Sequence, residues 1–463
     1  MKPQTPPQDE LSLFQAHFDQ ILNPGHPLVT LAGQIDWAQF DATFGESFCE
    51  ATGAPAKATR LIVGLLYLKY TFDESDESVL TRWVENPYWQ YFCGYTHMQH
   101  KCPIHPTSLT KWRQRVDESK LNELLTQTIE VARQQQYLPE REIRQATVDT
   151  TVQESNITYP TDSKLLYKAV LKLGKAAKKR GIALRQSYVR VGKAAAIKAA
   201  RYAHAKQFKR MKREIRKLRT YVGRLIRDIR RKTPKTPENA VQDVALATLL
   251  ERCQKLVDQR QNDSNKLYSL DEPETRCISK GKAHKRYEFG QKVALATTNR
   301  GDWFLAARLC EGNPYDGHTL KPTLEQVESN TGEALTDVYV DKGYQGHDYK
   351  GPAKVHRAGT SQKRETKATR KRRKRRSAIE PKIGHAKFKN RMRRCYLKGL
   401  KGDAANVVLA AAGANMRKLL RRLPCAVLGQ TWSLRLALRR LASWLAMLSP
   451  AGCTGESSLT VAA

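Results

Sequence analysis

The spacing of hydrophobic and polar positions changes several times along the chain, and each change predicts a different element. From residue 11 to about residue 136 the apolar residues recur at helical spacing, and the most apolar helix is predicted at residues 60–69. Residues 143–152 form a short β-branched run instead, which predicts a strand ending around Asp149. Residues 1–10 are polar and rich in proline, so we expect a disordered tail.

Residues 164–267 predict a long, basic helical segment. Its apolar side chains repeat with alternating spacings of three and four, which is a heptad pattern. We call this set the apolar seam: Phe208, Met211, Ile215, Leu218, Val222, Leu225 and Ile229. Residues 233–237 predict a turn, with Thr236 capping the return helix and Pro237 in its first position. The pattern fits either a helical hairpin within one chain or a coiled coil between two chains.

Strand patterns return in the second half of the chain and alternate with helices. Strands are predicted at residues 287–298, 303–309, 335–341 and 354–356, with residues 299–302 joining the first two as a hairpin. Asp316 and Gly317 open a helix to about Glu328, and residues 404–422 predict an alanine-rich helix. Residues 423–463 predict one amphipathic helix and a tail. The alternation predicts an α/β protein with an all-α N-terminal domain.

The charge of the chain indicates a polyanionic partner. Its 81 lysines and arginines against 45 acids give a net charge of +36, which favours nucleic acid over an anionic membrane. The most apolar stretch, residues 432–448, is interrupted by three arginines, which argues against a membrane span. Because the N-terminus lacks the apolar core of a secretion signal, we expect the protein to stay inside the cell.

The nine cysteines are scattered and include no Cys-x-x-Cys pair, so reduced thiols are expected. One cluster has the residue types of a zinc site but not the spacing of a standard finger. The alternative is a set of core and turn residues. The cluster contains Cys93, His97, His100, Cys102 and His105.

Two cationic helices are candidates for DNA contact. In residues 106–115, Thr107 caps a helix that carries Lys111, Arg113 and Arg115, as in the recognition helix of a helix-turn-helix. The alternative is an ordinary cationic surface helix. The helix of the apolar seam also has a basic outer face, which is either a solvated face or a DNA contact. That face carries Lys209, Arg210, Lys212, Arg213, Arg216, Lys217 and Arg219.

Residues 376–387 place one carboxylate among cations. At helical spacing Arg376, Glu380 and Lys387 share one side of a helix, and Ile379, Ile383 and Ala386 share another. An isolated acid in such a field is expected to be ionised and is suited to hold a metal ion where DNA lies. A glutamate that only favours the helix dipole is the alternative.

Asp149 and Asp341 are predicted at the ends of two strands, where neighbouring strands deliver their last residues to one edge of a sheet. With Glu380 on a helix packed across that edge, three oxygen ligands and no His or Cys partner suit Mg²⁺ or Mn²⁺. Two such ions can promote displacement at phosphorus.

At this point the sequence resembles a family. Asp149-Thr-Thr, Asp341-Lys-Gly-Tyr-Gln-Gly and Arg376-x3-Glu380-x6-Lys387 resemble the signature of bacterial insertion-sequence DDE transposases, the group related to the IS-five kind. Residues 64–115 resemble the N-terminal domain of that family, and residues 379–399 with Asn390-Arg391-Met392 resemble its C-terminal signature. The family motif has a tyrosine three residues before the arginine, where this chain has Arg373.

The resemblance implies an RNase H-like mixed-sheet catalytic core, formed by residues 143–163 and 268–422. Residues 11–136 would be the helical DNA-binding domain, and residues 164–267 a coiled-coil-like insertion. Asp149, Asp341 and Glu380 would be the catalytic metal ligands for two Mg²⁺ or Mn²⁺ ions. Arg376, Lys387 and Arg391 would contact DNA together with the cations of residues 106–115.

The implied activity is that of a transposase, a polynucleotidyl transferase and endonuclease. It would bind the terminal inverted repeats of its own element, cut the strand and join it to double-stranded target DNA as a homodimer or higher oligomer. We expect a bacterial cytoplasmic, nucleoid-associated protein. A non-catalytic basic nucleic-acid-binding protein and an inactive transposase copy are the alternatives.

Overall fold

Seven strands pair into a mixed sheet in the computed structural model of the chain, which describes residues 16–48, 56–233, 240–279, 286–359 and 366–423. The strands are β1 (Gln145–Ser155), β2 (Arg276–Ser279), β3 (Tyr287–Thr298), β4 (Phe304–Cys310), β5 (Asp337–Val340), β6 (Lys354–Arg357) and β7 (Arg394–Cys395). The main order is β2-β3-β1-β5-β6, with β4 on β3 and β7 on β1. The long β1 is antiparallel to β3 and parallel to β5, and β5 is parallel to β6. This mixed α/β arrangement is consistent with an RNase H-like DDE domain.

Seventeen α-helices surround or precede these strands in the described part of the chain. Before β1 come α1 (Phe18–Ile21), α2 (Pro27–Gln34), α3 (Trp37–Gly45), α4 (Thr59–Phe72), α5 (Asp76–Glu85), α6 (Pro87–Phe92), α7 (Pro106–Arg115), α8 (Glu118–Gln134) and α9 (Glu140–Ile143). Between β1 and β2 lie α10 (Asp162–Lys179), α11 (Val189–His204), α12 (Phe208–Lys232) and α13 (Ala240–Asp258). The last four are α14 (Asp316–Thr331), α15 (Lys367–Arg375), α16 (Ile379–Lys389) and α17 (Gly399–Arg422).

The chain divides into two compact units, whose boundary differs from the predicted one at residue 136. The described part of the first unit is residues 16–48, 56–65, 77–105 and 416–423, and that of the second falls within residues 66–76 and 106–415. Helices α7 and α8 therefore belong to the unit that holds the sheet, although the sequence pattern grouped them with the earlier helices.

The first unit has an aromatic core. Phe40, Phe44, Trp83 and Phe92 are fully buried in it. Arg60 ties α4 to the end of α6, because its guanidinium donates hydrogen bonds to the carbonyl oxygens of Tyr91 and Phe92 at 3.3 and 3.2 Å. Such aromatic burial is the main favourable term available to a small helical unit.

Within the second unit, β3 crosses β1 so closely that one position accepts only glycine. Gly290 pairs with Glu154, and a Cβ on Gly290 would collide with the backbone of Gln153. The rest of β3 is almost wholly buried, as expected for a central strand whose two faces are covered. The register between β1 and β3 is thereby fixed by sterics as well as by hydrogen bonds.

Helices α10, α11, α12 and α13 pack together around their own hydrophobic core. The second half of the apolar seam lies in that core, since Leu218, Val222, Leu225 and Ile229 are all buried. The sequence left open whether the seam packs within one chain or between two chains. In the structure it packs within one chain, so these four side chains are not available to a second copy. Only the start of the seam is open, where Phe208 is 56% exposed.

Several predictions fall outside the described residues: the tail at residues 1–10, the turn with Thr236 and Pro237, and the helix and tail beyond residue 423. In the part of the chain that is described, no helix has both the length and the apolar character needed to cross a membrane.

Candidate active site

The register between β1 and β5, continued by two residues, would set Asp149 beside Asp341. The two strands are parallel, and the last pair in register is Thr147 with Tyr339. Asp149 and Asp341 each follow two residues later, and Asp341 keeps an extended backbone with φ −76° and ψ 172°. Because neighbouring strands are about 4.8 Å apart and side chains alternate with a period of two, the two aspartates start from adjacent points on one face.

The strand that carries Asp149 is longer than predicted. The sequence predicted that it ends around Asp149, whereas β1 continues to Ser155 and pairs Asp149 with Leu295 of β3. The reason is that the β-branched run beyond Asp149 finds a full partner in β3, which local sequence does not reveal. Asp341 does follow the last residue of its strand, as predicted.

Glu380 lies in the first turn of α16, on the side of the helix that the spacing predicted. Ile379, Ile383 and Ala386 are buried, and α16 packs against β1. Glu380 lies on a different side of the helix, about a quarter turn from this stripe, and its side chain is 65% exposed. The apolar stripe of α16 therefore anchors the helix on the sheet and leaves the carboxylate at its surface.

Arg376 links two of the three acids. Its Nη2 lies 3.6 Å from Oδ1 of Asp341 and 3.7 Å from Oε1 of Glu380. The side chain of Arg376 is only 13% exposed. Its Nη1 is buried and has no hydrogen-bond acceptor among the described residues. One guanidinium thus lies within ion-pair distance of two carboxylates, one at a strand end and one on a helix, that are 39 residues apart in the sequence.

The donor set fits a hard divalent cation in its chemistry. Asp149, Asp341 and Glu380 offer only carboxylate oxygens, the ligands that Mg²⁺ and Mn²⁺ prefer. In the arrangement seen here the guanidinium of Arg376 contacts two of them, and no three His, Cys, Asp or Glu side chains of the described residues are close enough to hold a metal ion. Asp341 and Glu380 are both exposed enough to exchange that contact for a ligand, with side-chain exposures of 49% and 65%.

A further acid, Asp316, contacts residues next to Asp149 and Asp341. The sequence pattern predicted it only as the start of a helix. Oδ1 of Asp316 accepts hydrogen bonds from Thr150 Oγ1 at 2.9 Å and from Lys292 Nζ at 3.0 Å. Its other oxygen approaches Gly343, where an added Cβ would be 3.2 Å away. Asp316 therefore connects the residue after Asp149 to the loop that follows Asp341.

One sequence signal could have identified Asp316. Lys292 lies in the middle of β3, directly before the apolar run of residues 293–296, and a buried lysine requires a carboxylate partner. Burial raises the pKa of Tyr344 well above its ordinary value, and the charges of Asp149 and Asp316 raise it further. Asp149 and Asp316 are therefore both close enough to Tyr344 for their charges to raise its pKa.

Comparison with known proteins places the chain in a family. The family model "Transposase domain (DUF772)" matches residues 16–115, and the model "Transposase DDE domain" matches residues 247–416. The two matches together span more than half of the chain, and the second contains both Asp341 and Glu380. The chain belongs to the insertion-sequence DDE transposases.

A relative of this transposase is the "Uncharacterized protein ORF8 in nfe locus" of Rhizobium meliloti. It is 50% identical over 208 residues, which make up 45% of this chain and all of the relative. No solved structure matches the chain significantly.

The transposase does not present all of its predicted DNA contacts at the surface. On α7, Lys111 and Arg115 are exposed, whereas Arg113 is buried and pairs with Asp76. The prediction for Arg113 is corrected by this placement. The helical repeat of Leu109, Trp112 and Val116 puts Arg113 on the buried side, where its charge requires a partner.

The two remaining predicted contacts lie near the end of α16. Lys387 is half-buried on that helix. Arg391 has a left-handed backbone with φ 61°, and its Nη1 donates to the carbonyl oxygen of Asp73 at 3.1 Å. The guanidinium of Arg391 also lies over the ring of Tyr396, 5.6 Å from its centroid. Arg391 is therefore already engaged in the packing of the second unit.

The Cys and His cluster of residues 93–105 is not assembled as a metal site in the described structure. Cys93 is fully buried, and burial raises the pKa of its thiol far above the ordinary range. The Cβ position of Gly64 is occupied in part by Sγ of Cys93, which marks the cysteine as a packing residue of α4 and α6. The burial and packing of Cys93 therefore support the interpretation of this cluster as core and turn residues, and no contact among the described residues supports a zinc site.

Proposed function

We propose that this transposase cuts DNA at the terminal inverted repeats of its own insertion sequence and joins the freed ends to target DNA. Asp149, Asp341 and Glu380 are the proposed catalytic carboxylates. The observation that carries the proposal is the contact of Arg376 with both Asp341 and Glu380, and the register of β1 with β5, continued by two residues, supports placing Asp149 beside Asp341. The group related to the IS-five kind is the proposed subfamily, on the signature residues alone.

The proposed reaction consists of two displacements at phosphorus. In the first, a water oxygen bonds to the phosphorus at the end of the element and the 3′-oxygen leaves. In the second, the resulting 3′-hydroxyl bonds to a phosphorus of the target and a target 3′-oxygen leaves. Mg²⁺ or Mn²⁺, held as one or two ions by the three carboxylates, would supply the activation of the attacking oxygen and the stabilisation of the leaving oxygen.

Residues of the chain itself would position the DNA. The buried Nη1 of Arg376 has no hydrogen-bond acceptor among the described residues, so the side chain is proposed to reorient when DNA binds and to donate from Nη1 to a phosphate oxygen. Lys387 lies about two turns after Glu380 on α16 and is proposed to extend the positive surface. On α7, the exposed Lys111 and Arg115 are proposed to contact the terminal repeats. The two ends must be held together, so a homodimer or a higher oligomer is proposed.

A second candidate function follows from the same site. Because Arg376 occupies the space between Asp341 and Glu380, the arrangement also suits a protein that binds DNA without cutting it. Such a protein would be a basic nucleic-acid-binding protein or an inactive copy of the transposase. It would show salt-sensitive binding and no strand cleavage.

Three variants at the carboxylates test the proposal: Asp149→Asn, Asp341→Asn and Glu380→Gln. The substrate is a duplex that carries the end of the element, identified as the inverted repeats that flank the coding sequence. Each variant is expected to lose cleavage in Mg²⁺ completely while its affinity for the duplex stays within a few fold of the native value.

Matched controls are Asp348→Asn and Glu325→Gln, which remove exposed carboxylates of the same unit outside the site. They are expected to cut as the native protein does. Cleavage that persists in Glu380→Gln removes this residue from the site. A native protein that binds the duplex and never cuts it decides for the second candidate function.

A further inference from the structure

Residues 163–233, which lie in α10, α11 and α12 and the loops between them, are strongly enriched in positive charge. Residues 163–233 contain 25 lysines and arginines but only two acids, Glu214 and Asp228. Both acids are buried. Glu214 accepts a hydrogen bond of 2.7 Å from Lys217, and Asp228 accepts one of 2.9 Å from the backbone of Arg185 and one of 3.0 Å from Arg231. Residues 163–233 therefore expose cations and no carboxylate of their own. The neighbouring Asp162, which begins α10, is 48% exposed and pairs with Arg219 at 3.7 Å.

Six of these cations are aligned along one side of α12. A row of six cations, with Thr220 in its only gap, repeats at spacings of three and four, so its members share one side of the helix. All six are exposed. We call this set the cationic row: Lys209, Arg213, Arg216, Arg224, Arg227 and Arg231. It lies opposite Leu218, Val222, Leu225 and Ile229, which fill the core of the four helices.

The cationic row contributes few contacts to the fold, among them a hydrogen bond of 3.4 Å from Arg224 to the hydroxyl of Tyr188. Of its six members only Arg231 forms an ion pair with a carboxylate of the described residues, and the partner is Asp228. A solvated helix surface normally mixes both signs of charge, because like charges at a spacing of four repel each other. Among the described residues, Arg231 is the one member of the row with a carboxylate to offset this repulsion. A polyanion that neutralises the row would remove it.

The dimensions of the row fit a rigid duplex. From Lys209 to Arg231 the helix rises about 33 Å at 1.5 Å per residue, close to the roughly 34 Å of one turn of duplex DNA. Proteins that bind single strands place aromatic side chains among their cations for base stacking. The two aromatic residues of α12, Phe208 and Tyr221, lie off the row at helical spacing, and Tyr221 stacks on Tyr188. Lysine and arginine on an exposed surface contact phosphates, which carry no sequence information directly.

We propose that the cationic row of α12 is a second DNA-binding surface, which contacts the phosphates of duplex DNA without regard to sequence. It would hold target DNA, while the terminal repeats are recognised elsewhere. The assignment to target DNA rests on the proposed function, whereas the binding itself does not.

The test compares two variants of the full chain that remove the same charge. The first replaces Arg213, Arg216, Arg224 and Arg227 by Gln. The matched control replaces four exposed lysines outside the four-helix segment: Lys321, Lys350, Lys398 and Lys401. Affinity for a random-sequence duplex of about three helical turns is measured by fluorescence anisotropy at several salt concentrations in EDTA, and circular dichroism checks that both variants are folded.

The row variant is expected to lower the slope of log affinity against log salt by about 3 to 4, because each phosphate that the protein neutralises contributes about 0.9 to that slope. Its affinity at physiological salt should fall at least tenfold, and the control should retain the native slope within about one. Equal effects of the two variants would overturn the proposal, since they would reflect net charge alone. A row-dependent preference for the single strand over the duplex would overturn it as well.

Cleavage of the end of the element is measured separately in Mg²⁺. If the row variant no longer binds random duplex while the native protein never cuts, the binding surface stands and the proposed function fails. If the native protein cuts and the row variant binds random duplex as the control does, the proposed function stands and the binding surface fails.

Discussion

The guanidinium of Arg113 is buried against the carboxylate of Asp76, and two hydrogen bonds join them: Nη1 to Oδ1 at 3.1 Å and Nη2 to Oδ2 at 2.6 Å. Lys69 also reaches Asp76, with Nζ 2.7 Å from Oδ1. Burial alone would raise the pKa of Asp76, but the hydrogen bonds from Arg113 and the charge of Lys69 outweigh it, so this pKa is lowered. The cluster joins the end of α4 to α7.

Replacing Arg113 by Ala should therefore destabilise the fold, which the removal of an exposed DNA contact would not do. We expect the free energy of unfolding to fall by about 3 kcal/mol, because the substitution leaves buried charge without its main partner. Arg115→Ala, on the exposed side of α7, should change it by no more than about 0.5 kcal/mol. Urea unfolding of both variants measures the difference. Similar decreases for the two would contradict the assignment of Arg113 to the core.

The position of Arg376 leads to a prediction about metal affinity. Because its guanidinium contacts Asp341 and Glu380, it competes with any cation that these carboxylates bind. Arg376→Gln should tighten Mn²⁺ binding by up to about tenfold, or ~1.4 kcal/mol, as measured by titration calorimetry without DNA. Arg375→Gln removes the same charge from a side chain that pairs with Asp302 instead, and should leave the affinity unchanged. An unchanged affinity in Arg376→Gln would show that its guanidinium does not screen the site.

Sequence patterns predicted the strands and helices around the site because those elements have strong local signals. The β-branched run of β1 and the apolar stripe of α16 each show which side of the element is buried. The side on which Asp149 or Glu380 lies follows from that. The contact of Arg376 with Glu380 follows from their i,i+4 spacing. Its contact with Asp341 could not be predicted, since it depends on where α16 packs on the sheet.

The errors in prediction have a common cause, which is that partners distant in sequence decide the outcome. Strand β1 extends past Asp149 because β3 pairs with it, and β2 and β7 are too short to have a periodicity of their own. Arg113 was assigned to the surface from its charge, although its spacing of four from Leu109 puts it on the apolar side of α7. Its partner Asp76 is 37 residues earlier.

Asp316 and Lys292 should behave as a coupled pair. The Lys292 side chain is 10% exposed, and its Nζ also donates to the carbonyl oxygen of Pro314 at 2.6 Å. We expect Asp316→Asn and Lys292→Met each to destabilise the protein, and the double variant to be more stable than the sum of the two by about 1 to 3 kcal/mol. A double-mutant cycle in urea measures this coupling. If the two changes in the free energy of unfolding are strictly additive, the ion pair of Lys292 with Asp316 does not stabilise the fold next to Asp149 and Asp341.

The apolar seam should contribute to stability and not to self-association. Leu225 is 1% exposed in the core of the four helices, so Leu225→Ala is expected to cost about 2 to 5 kcal/mol. Phe208→Ala, at the exposed start of the seam, should cost far less. Sedimentation velocity should give the same oligomeric state for native protein and both variants. A shift to a smaller species in Leu225→Ala, with stability unchanged, would mean that the seam joins two chains.

The buried carboxyl of Asp403 should make stability depend on pH in the neutral range. Burial raises its pKa from 3.8 to about 7, and the charges of Glu272 and Glu274 add to the shift. The folded state therefore keeps a proton that the unfolded state releases. The resulting stability is fully present below pH 3.8 and is lost as the pH rises to about 7, with no further change above that value.

The measurement is a pH series of urea unfolding for the native protein and for Asp403→Asn. The amide cannot ionise, so it isolates the contribution of this one carboxyl from those of all other groups. The native protein should lose stability relative to the variant by about 1.4 kcal/mol per pH unit, or roughly 4 kcal/mol in total, between pH 4 and pH 7. Because Gln153 donates a hydrogen bond of 3.3 Å to Oδ1 of Asp403, and an amide oxygen accepts equally well, the variant should fold. A constant difference across this range would mean that Asp403 ionises equally in both states, and that water reaches it in the folded protein.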